Sequence, residues 1–391
     1  MKTLFENNVL TFFLNGRIDA SVAEKVSAEV TDAIAAHAGE KFSLVMDASA
    51  LEYISSAGLR MVLKAKKMNP DMKIVNVGTE VYEIFEMTGF TEIITVEKAF
   101  RKFSVDGCAV IGKGAKGTVY RYNEDIIVKV YNNSDSLPDI MRERELARKA
   151  FILGIPTAIS YDIVKVGEKF GSVFELLDAK SYSQMILDDP ENTDKYVDEY
   201  AALLRKIHTT PVSQDDMPDI KKLVKKWLDT DMAYLGDDGA RVAALVENTP
   251  DVCNMLHCDY HTNNVMLQNG ETLLIDMDTL SHGHPVFELG NVYITYVGFG
   301  EEDPSVVEKF LGLPYATACR IWKRFIASYL GTDDEKRIAD VENKAKLVSY
   351  VRLMRHVLRR GGADTPEGMK TVEMCRAAIH DLLENVTELD F

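Results

Sequence analysis

The chain has 391 residues, 46% of them hydrophobic and 27% charged, with a formal net charge of −16. That length exceeds what one core fills, so two or three soluble domains are expected, and the acidic balance argues against a nucleic-acid-binding face. No run of about 18 apolar residues marks a membrane span. MKTLFENNVLTFFLNGR does not read as a signal peptide, and five cysteines without a C-x-x-C pair fit a reducing, cytoplasmic setting.

From the N-terminus, VLTFFLNG (9–16) predicts a strand. SVAEKVSAEVTDAIAAHAG (21–39) predicts a helix with Ser21 as N-cap, Glu24 three residues on and Gly39 as the stop. FSLVMDAS (42–49) predicts a buried strand ending in Asp47, and SSAGLRMVLKAKKMNP (55–70) an amphipathic helix stopped by Pro70. MKIVNVG (72–78) predicts a strand, TEVYEIFEMTG (79–89) a helix and FTEIITV (90–96) a last short strand. This alternation predicts an α/β domain over residues 1–100, a sheet covered by helices. Residues 101–107 read as a linker.

The pieces LNGRIDAS (14–21), LVMDASALEYISSAGLRMVL (44–63) and TGF (88–90) resemble, in order, the STAS domain of anti-sigma-factor antagonists and sulfate-transporter tails. In the antagonists a Ser or Thr at the start of the central helix is phosphorylated, usually just after an Asp. The position falls on Ser56, with Ser55 standing where the Asp would be. The resemblance implies a candidate phosphosite at Ser56 and a regulatory protein partner. The other reading is that Ser55 and Ser56 cap the helix.

Residues 108–391 begin as strands and turn mostly helical from about residue 194. VIGKGAKGTVYRYNEDIIVKVYN (110–132) holds G-x-G-x-x-G at Gly112, Gly114 and Gly117. A dinucleotide-binding loop of that form opens a helix. Here it opens a strand, GTVYRYN, followed by a turn at Asn123–Asp125 and a third strand, IIVKVY. Lys129 in that apolar strand needs an anionic partner, as in kinases, where a glycine-rich hairpin covers the phosphates and a strand Lys pairs with them. The alternative is a solvated edge-strand lysine. In the next helix, DIMRERELARKAFILG (139–154), Glu143 has Leu146, Ala147 and Ala150 on its face, whereas Glu145 has Arg148 and Lys149. Glu143 is therefore the expected partner of Lys129, a surface ion pair being the alternative. FGSVFELLDAKSY (170–182) lies where a kinase hinge would fall, so that backbone groups from Glu175 to Leu177 meet an adenine edge; a plain core strand is the alternative.

LHCDYHTNNVMLQNGETLLIDMD (256–278) carries the chemistry. Asp259 and Asn264 have the D-x-x-x-x-N spacing of a kinase catalytic loop, with Asp259 as base or positioner and Asn264 as metal ligand. NVML and TLLI form a hairpin about Asn269–Gly270, which delivers Asp276 to the place of a second ligand. Carboxylate and amide oxygens suit Mg²⁺. Asp278 is either a further metal contact or a loop hydrogen-bonding group. A rival hydrolytic metal site would draw on His257, Asp259, His261, Asp276, His282 and His284. It leaves the glycine hairpin and Lys129 without a role.

With these motifs in place, residues from about 105 to 300 resemble the aminoglycoside phosphotransferase and choline kinase group of the protein-kinase-like superfamily. The group's H-G-D-x-x-x-x-N stands as His257, Cys258, Asp259 and Asn264, with Cys for Gly. Its I-D-W stands as Ile275, Asp276 and Met277, and its G-x-P-x-x-D-L as Gly283, Pro285, Glu288 and Leu289, with Glu for Asp. Its L-x-x-L-H appears in LLRKIH (203–208). The resemblance implies a two-lobed α+β fold, an N-lobe over about 108–177 and a mostly helical C-lobe over about 178–391. It also implies ATP as phosphate donor and Mg²⁺ as cofactor. D-F-G and A-P-E are absent, and only TLSHGHP separates Asp278 from the helix expected near Phe287, which on the family resemblance favours a small-molecule hydroxyl acceptor over a protein. The STAS domain pulls towards a regulatory partner, and the alternative function is a catalytically weak nucleotide-binding regulator of partner switching.

Overall fold

The computed structural model describes residues 2–114 and 116–391, and the chain divides into two compact units, Met1–Asp106 with Ile163–Gly171 and Gly107–Asp162 with Ser172–Phe391. The first begins β1 (Lys2–Glu6), β2 (Val9–Ile18), α1 (Ala20–Ala36), β3 (Ser43–Ile54), α2 (Ser56–Met68), β4 (Lys73–Val77), α3 (Thr79–Met87), α4 (Phe90–Ile93) and β5 (Thr95–Lys98). These strands lie in the order β1-β2-β3-β4-β5, antiparallel at β1/β2 and parallel elsewhere. The period-2 pattern buries Leu10, Phe12 and Leu14 of β2 and Leu44, Met46 and Ala48 of β3. The 3.6-residue period of α1 buries Ala23, Val26, Val30 and Ile34.

Several local expectations change. Asp19, not Ser21, caps α1, its carboxylate accepting from the Ser21 N–H at 2.9 Å and the Ser21 hydroxyl at 2.6 Å; an ionised acceptor outcompetes a hydroxyl. β3 runs past Asp47 to Ile54 because, after a register shift, its second half pairs with the end of β2, Ile18 opposite Ile54. FTEI closes a helical turn, the Ile94 N–H donating to the Phe90 carbonyl at 2.9 Å, before β5 starts at Thr95. A short apolar run does not by itself separate helix from strand. β1 had no counterpart in the sequence reading. Asn7 and Asn8, at φ 51° and 60°, make the turn that joins it to β2.

Ser55 caps α2, its hydroxyl accepting from the Gly58 N–H at 3.4 Å, and Ser56 is the first helical residue with its side chain exposed. A Cβ on Gly58 would fall 2.6 Å from Ile54 Cγ1, so only glycine lets α2 seat this closely.

The chain continues through β6 (Arg101–Phe103), β7 (Ala109–Lys113), β8 (Gly117–Arg121), β9 (Ile126–Tyr131), α5 (Leu137–Ile152), β10 (Asp162–Val166) and β11 (Lys169–Glu175). Part of the segment read as a linker is thus a strand: Arg101–Phe103 runs parallel to Val164–Val166. In the second unit β7, β8 and β9 form an antiparallel meander with β11 beside β9.

Next come β12 (Lys180–Ser181), α6 (Tyr182–Asp188), α7 (Thr193–His208), α8 (Ile220–Leu235), α9 (Gly239–Asn248), β13 (Met255–Leu256), β14 (Val265–Gln268), β15 (Glu271–Leu274) and β16 (Ser281–His282). Helices α10 (Val286–Tyr296), α11 (Pro304–Leu311), α12 (Tyr315–Leu330), α13 (Glu335–Arg359) and α14 (Pro366–Leu382) complete it. β14 and β15 are the expected hairpin, turned by Asn269 and Gly270 at φ 52° and 85°. Every residue of α10 is buried, and Glu288 and Asn291 of this helix hold the segment at His257 and Cys258. Among the described residues no helix is long and apolar enough to cross a membrane. The first unit is thus a sheet covered by helices, and the second begins with strands and is largely helical from α6 onward.

Candidate active site

The glycine hairpin forms the roof of a cavity of about 1510 Å³. That exceeds the roughly 300–1,000 Å³ of a site for one small ligand and leaves room for two. Gly112, Gly114 and Gly117 all line it. Gly114 donates its N–H to the Gly117 carbonyl at 2.9 Å, which closes the hairpin tip. Gly117 is the position that packing demands: a Cβ there would stand 2.5 Å from the Val130 carbonyl oxygen of β9.

Lys129 projects from β9 into this space. Its Nζ donates to Glu143 Oε1 of α5 at 3.0 Å and to Asp276 Oδ1 at 2.9 Å. Burial works against the ammonium charge, but Glu143 and Asp276 outweigh it and hold Lys129 above its ordinary value. Asp276 shows the converse: burial alone would raise its carboxyl, yet Lys129 keeps it below the usual carboxylate range. Tyr131, two residues on and on the same face of β9, donates its hydroxyl to Glu143 Oε2 at 2.9 Å and so fixes the second carboxylate oxygen. Lys116, beside the hairpin tip, pairs with Asp278.

Glu175 and Leu177 line the same cavity with Phe174 and Ile275. The Leu176 N–H donates to the Asp125 carbonyl at 2.7 Å, and the Glu175 side chain accepts from the Tyr161 hydroxyl at 3.3 Å. What these residues present to the cavity is therefore an apolar slot.

Across from the roof lies the loop bearing Asp259 and Asn264. Asn264 Nδ2 donates to the Asp259 carbonyl at 2.9 Å and reaches its Oδ2 at 3.4 Å. His261 Nε2 stands 3.8 Å from the same oxygen, and burial holds its imidazole below the usual range despite Asp259. Among the described residues the acids and histidines close enough to share an ion are Glu143, Asp276 and Asp278. That all-oxygen set suits a hard cation such as Mg²⁺. The histidines of the rival hydrolytic site are not in it: His257 Nε2 and His282 Nδ1 are buried without partners, and His284 pairs with Asp390 at 3.1 Å.

Sequence reasoning did not find what holds this loop. Glu288, fully buried at the start of α10, accepts the His257 N–H on Oε2 and the Cys258 N–H on Oε1, both at 2.7 Å. His208, the last residue of α7, donates from Nε2 to Glu288 at 2.9 Å, and its Nδ1 lies 2.7 Å from the Tyr329 hydroxyl. The Cys258 carbonyl accepts from Asn291 Nδ2 at 3.1 Å. Cys258 has φ 64° and Asp276 φ 62°, a left-handed conformation that costs a non-glycine residue about 1–2 kcal/mol. The signal was present in the LLRKIH and G-x-P-x-x-E-L motifs, but which groups they meet is a tertiary fact.

Burial is the largest influence and would raise the Glu288 carboxyl, but the hydrogen bond and charge of His208 together with the contacts of His257 outweigh it and hold the group below its ordinary value. A depressed carboxyl adds stability that is present above its unfolded value and lost as the pH falls through the folded one. Glu288→Gln should therefore lower unfolding free energy at neutral pH by about 2–4 kcal/mol and flatten the fall in stability on the acid side. Denaturant titrations at several pH values test this; equal stability and an unchanged acid limb would contradict it.

The profile of the phosphotransferase enzyme family matches residues 107–314, and that of the STAS domain residues 1–103. Residues of the first unit are 33% identical, over 94 positions, to BtrV of Bordetella bronchiseptica, named as an anti-sigma factor antagonist; the match spans 23% of this chain and 78% of that one. The apo structure of a thermostable mutant of aminoglycoside phosphotransferase APH(4)-Ia matches with TM-score 0.50 and 14% identity, over 70% of this chain and 94% of that one. A choline/ethanolamine kinase family protein from Mesorhizobium loti matches with TM-score 0.47 and 13% identity, over 71% and 88%. At these identities the likeness to APH(4)-Ia is one of fold. With its family profile covering more than half of its length, the chain belongs to the phosphotransferase enzyme family and carries a STAS domain at its N-terminal end.

Proposed function

We propose that this protein transfers the γ-phosphate of ATP to a hydroxyl group of a small-molecule acceptor, with Mg²⁺ as its ion. The observation that carries this reading is Lys129, held in an apolar strand beneath the glycine hairpin by Glu143 and Asp276. The apolar slot at Phe174, Leu177 and Ile275 would take the adenine, with backbone groups from Glu175 to Leu177 at its edge. Gly112, Gly114 and Gly117 would let the hairpin backbone approach the phosphates, and Lys129 and Lys116 would pair with their oxygens. Asp276 and Asn264, with Asp278, would hold the ion, which supplies charge neutralisation on the transferred group.

The chain's own contribution is positional. Asn264 fixes Asp259, whose carboxylate would orient the acceptor hydroxyl and take its proton. A bond from the acceptor oxygen to the γ-phosphorus forms, the bond to the β-phosphate oxygen breaks, and ADP leaves. Phosphoryl transfer needs placement and charge compensation more than covalent help.

Asp259→Ala should reduce transfer from labelled ATP to hydroxylated metabolites by about 10²–10⁴-fold and leave ATP affinity nearly unchanged. Full transfer by this variant would remove the role given to Asp259.

In the STAS domain, Ser56 is proposed as a regulatory phosphosite. Ser55 already serves as the cap, so the exposed Ser56 hydroxyl stays available at the helix start. Phosphate there would add about −1.5 to −2 charges and repel an acidic partner surface. Mass-spectrometric mapping and pull-downs test the idea: Ser56→Asp should release a partner that the wild type retains. If it keeps every partner the wild type binds, the switch is wrong.

A further inference from the structure

Beyond Asp259 the cavity continues to a far wall made by α11, the turn Gly298–Gly300 and the C-terminal half of α13. Charges on that wall are unevenly matched. Along α13 and just past it, Arg352, His356, Arg359 and Arg360 recur at helical spacing, and of these His356 and Arg360 line the cavity. Arg355 pairs with Asp231 at 3.1 Å. Among the described residues Arg352, Arg359 and Arg360 have no carboxylate partner. Arg352 reaches the Cys258 carbonyl, next to Asp259, at 3.4 Å, and Arg360 lies 2.7 Å from His356 Nε2.

Two acids, Glu302 and Asp303, line this wall as well, each engaged by its neighbours. Glu302 accepts from the Thr371 hydroxyl at 2.8 Å and faces Lys370 at 3.2 Å. Asp303 caps α11 through Ser305, and Glu301 takes the hydroxyls of Tyr293 and Tyr350. Lys309 of α11 adds a further cation to the lining and donates to the Ser305 hydroxyl at 3.2 Å. His356 senses this field: burial first, then Arg360, Arg359 and Arg352, push its imidazole down to about 4, so it accepts a hydrogen bond from Arg360 instead of adding charge. Composition does not foretell such a cluster in a chain of net charge −16, and an arginine left without a carboxylate partner on a concave wall draws anions.

We propose that the acceptor is a small hydroxylated anion, a carboxylate or a phosphate ester, whose charged end is held by Arg360 and Lys309 while its hydroxyl meets Asp259. The inference rests on the phosphotransferase reading and specifies its substrate class. The planar fork of Arg360 matches either anion in bidentate fashion. Arg352 lies behind the wall and adds to the field. The anionic group is bound and not transformed; the bond changes are those already described at the hydroxyl.

The test is transfer from labelled ATP, with Mg²⁺ and the full chain, to a panel sorted by charge: sugar acids and sugar phosphates, neutral sugars and polyols, and choline with aminoglycosides. Transfer to anionic members is expected. Arg360→Gln should raise KM for the best of them about tenfold or more with KM for ATP unchanged, and Arg360→Lys should restore part of the loss. Transfer confined to neutral or cationic compounds, or an unchanged acceptor KM in Arg360→Gln, would overturn the inference while leaving the phosphotransferase reading intact. That reading fails on a separate measurement, absence of ATP binding by the wild type.

Discussion

The arrangement depends on keeping one ammonium group charged inside an apolar strand. Removing a lysine from water costs several kcal/mol after relaxation, and the chain offsets this at Lys129 with two carboxylates from separate elements, Glu143 of α5 and Asp276 beyond β15. The same contacts set geometry. They tie α5 and the end of the β14–β15 hairpin to the strand that lies under the glycine loop, so three segments far apart in sequence share one charge. Loss of either acid would leave a buried charge half compensated. Tyr131 adds rigidity by occupying the Glu143 oxygen that Lys129 does not use.

Glu288 organises the opposite side of the cavity in a comparable way. Its carboxylate binds two successive backbone N–H groups, which bends the chain sharply just before Asp259. The bend puts Cys258 in a conformation that glycine adopts freely and cysteine does not. The two departures from the family pattern, Cys for Gly at 258 and Glu for Asp at 288, are therefore in direct contact. The hydrogen bond from the Cys258 N–H to Glu288 helps to hold the strained residue in place. Strain of this kind gathers at functional sites because the surrounding structure over-determines it.

Much of this was legible in the sequence because the signals are local. The Asn269–Gly270 turn, the alternation in β2 and β3, and the helical face that puts Glu143 rather than Glu145 inward each depend on residues a few positions apart. Other features depend on contacts across the chain. Glu288 meets residues 30 and 31 positions away, and Lys116, a variable position of the glycine motif, pairs with Asp278 far along the chain. The extra length of β3 follows from pairing with β2 after a register shift, which side-chain pattern alone does not encode. At α1 the reading chose a hydroxyl where a carboxylate two residues earlier was the better acceptor. In α4 a short apolar run was compatible with both periods, and the left-handed Gly89, φ 74°, started a helical turn.

On the proposed function, the cations and anions of this cavity would receive a polyphosphate and its ion, beside the apolar slot at Phe174, Leu177 and Ile275. The measurement closest to that claim is calorimetric titration of ATP, with and without Mg²⁺, into the wild-type protein and Asp276→Asn, which keeps the size of the side chain and removes its charge. The account predicts ATP binding that Mg²⁺ strengthens in the wild type, with most of the Mg²⁺-dependent gain lost in the variant. Absence of ATP binding in the wild type, or the same Mg²⁺ dependence in both proteins, would contradict it.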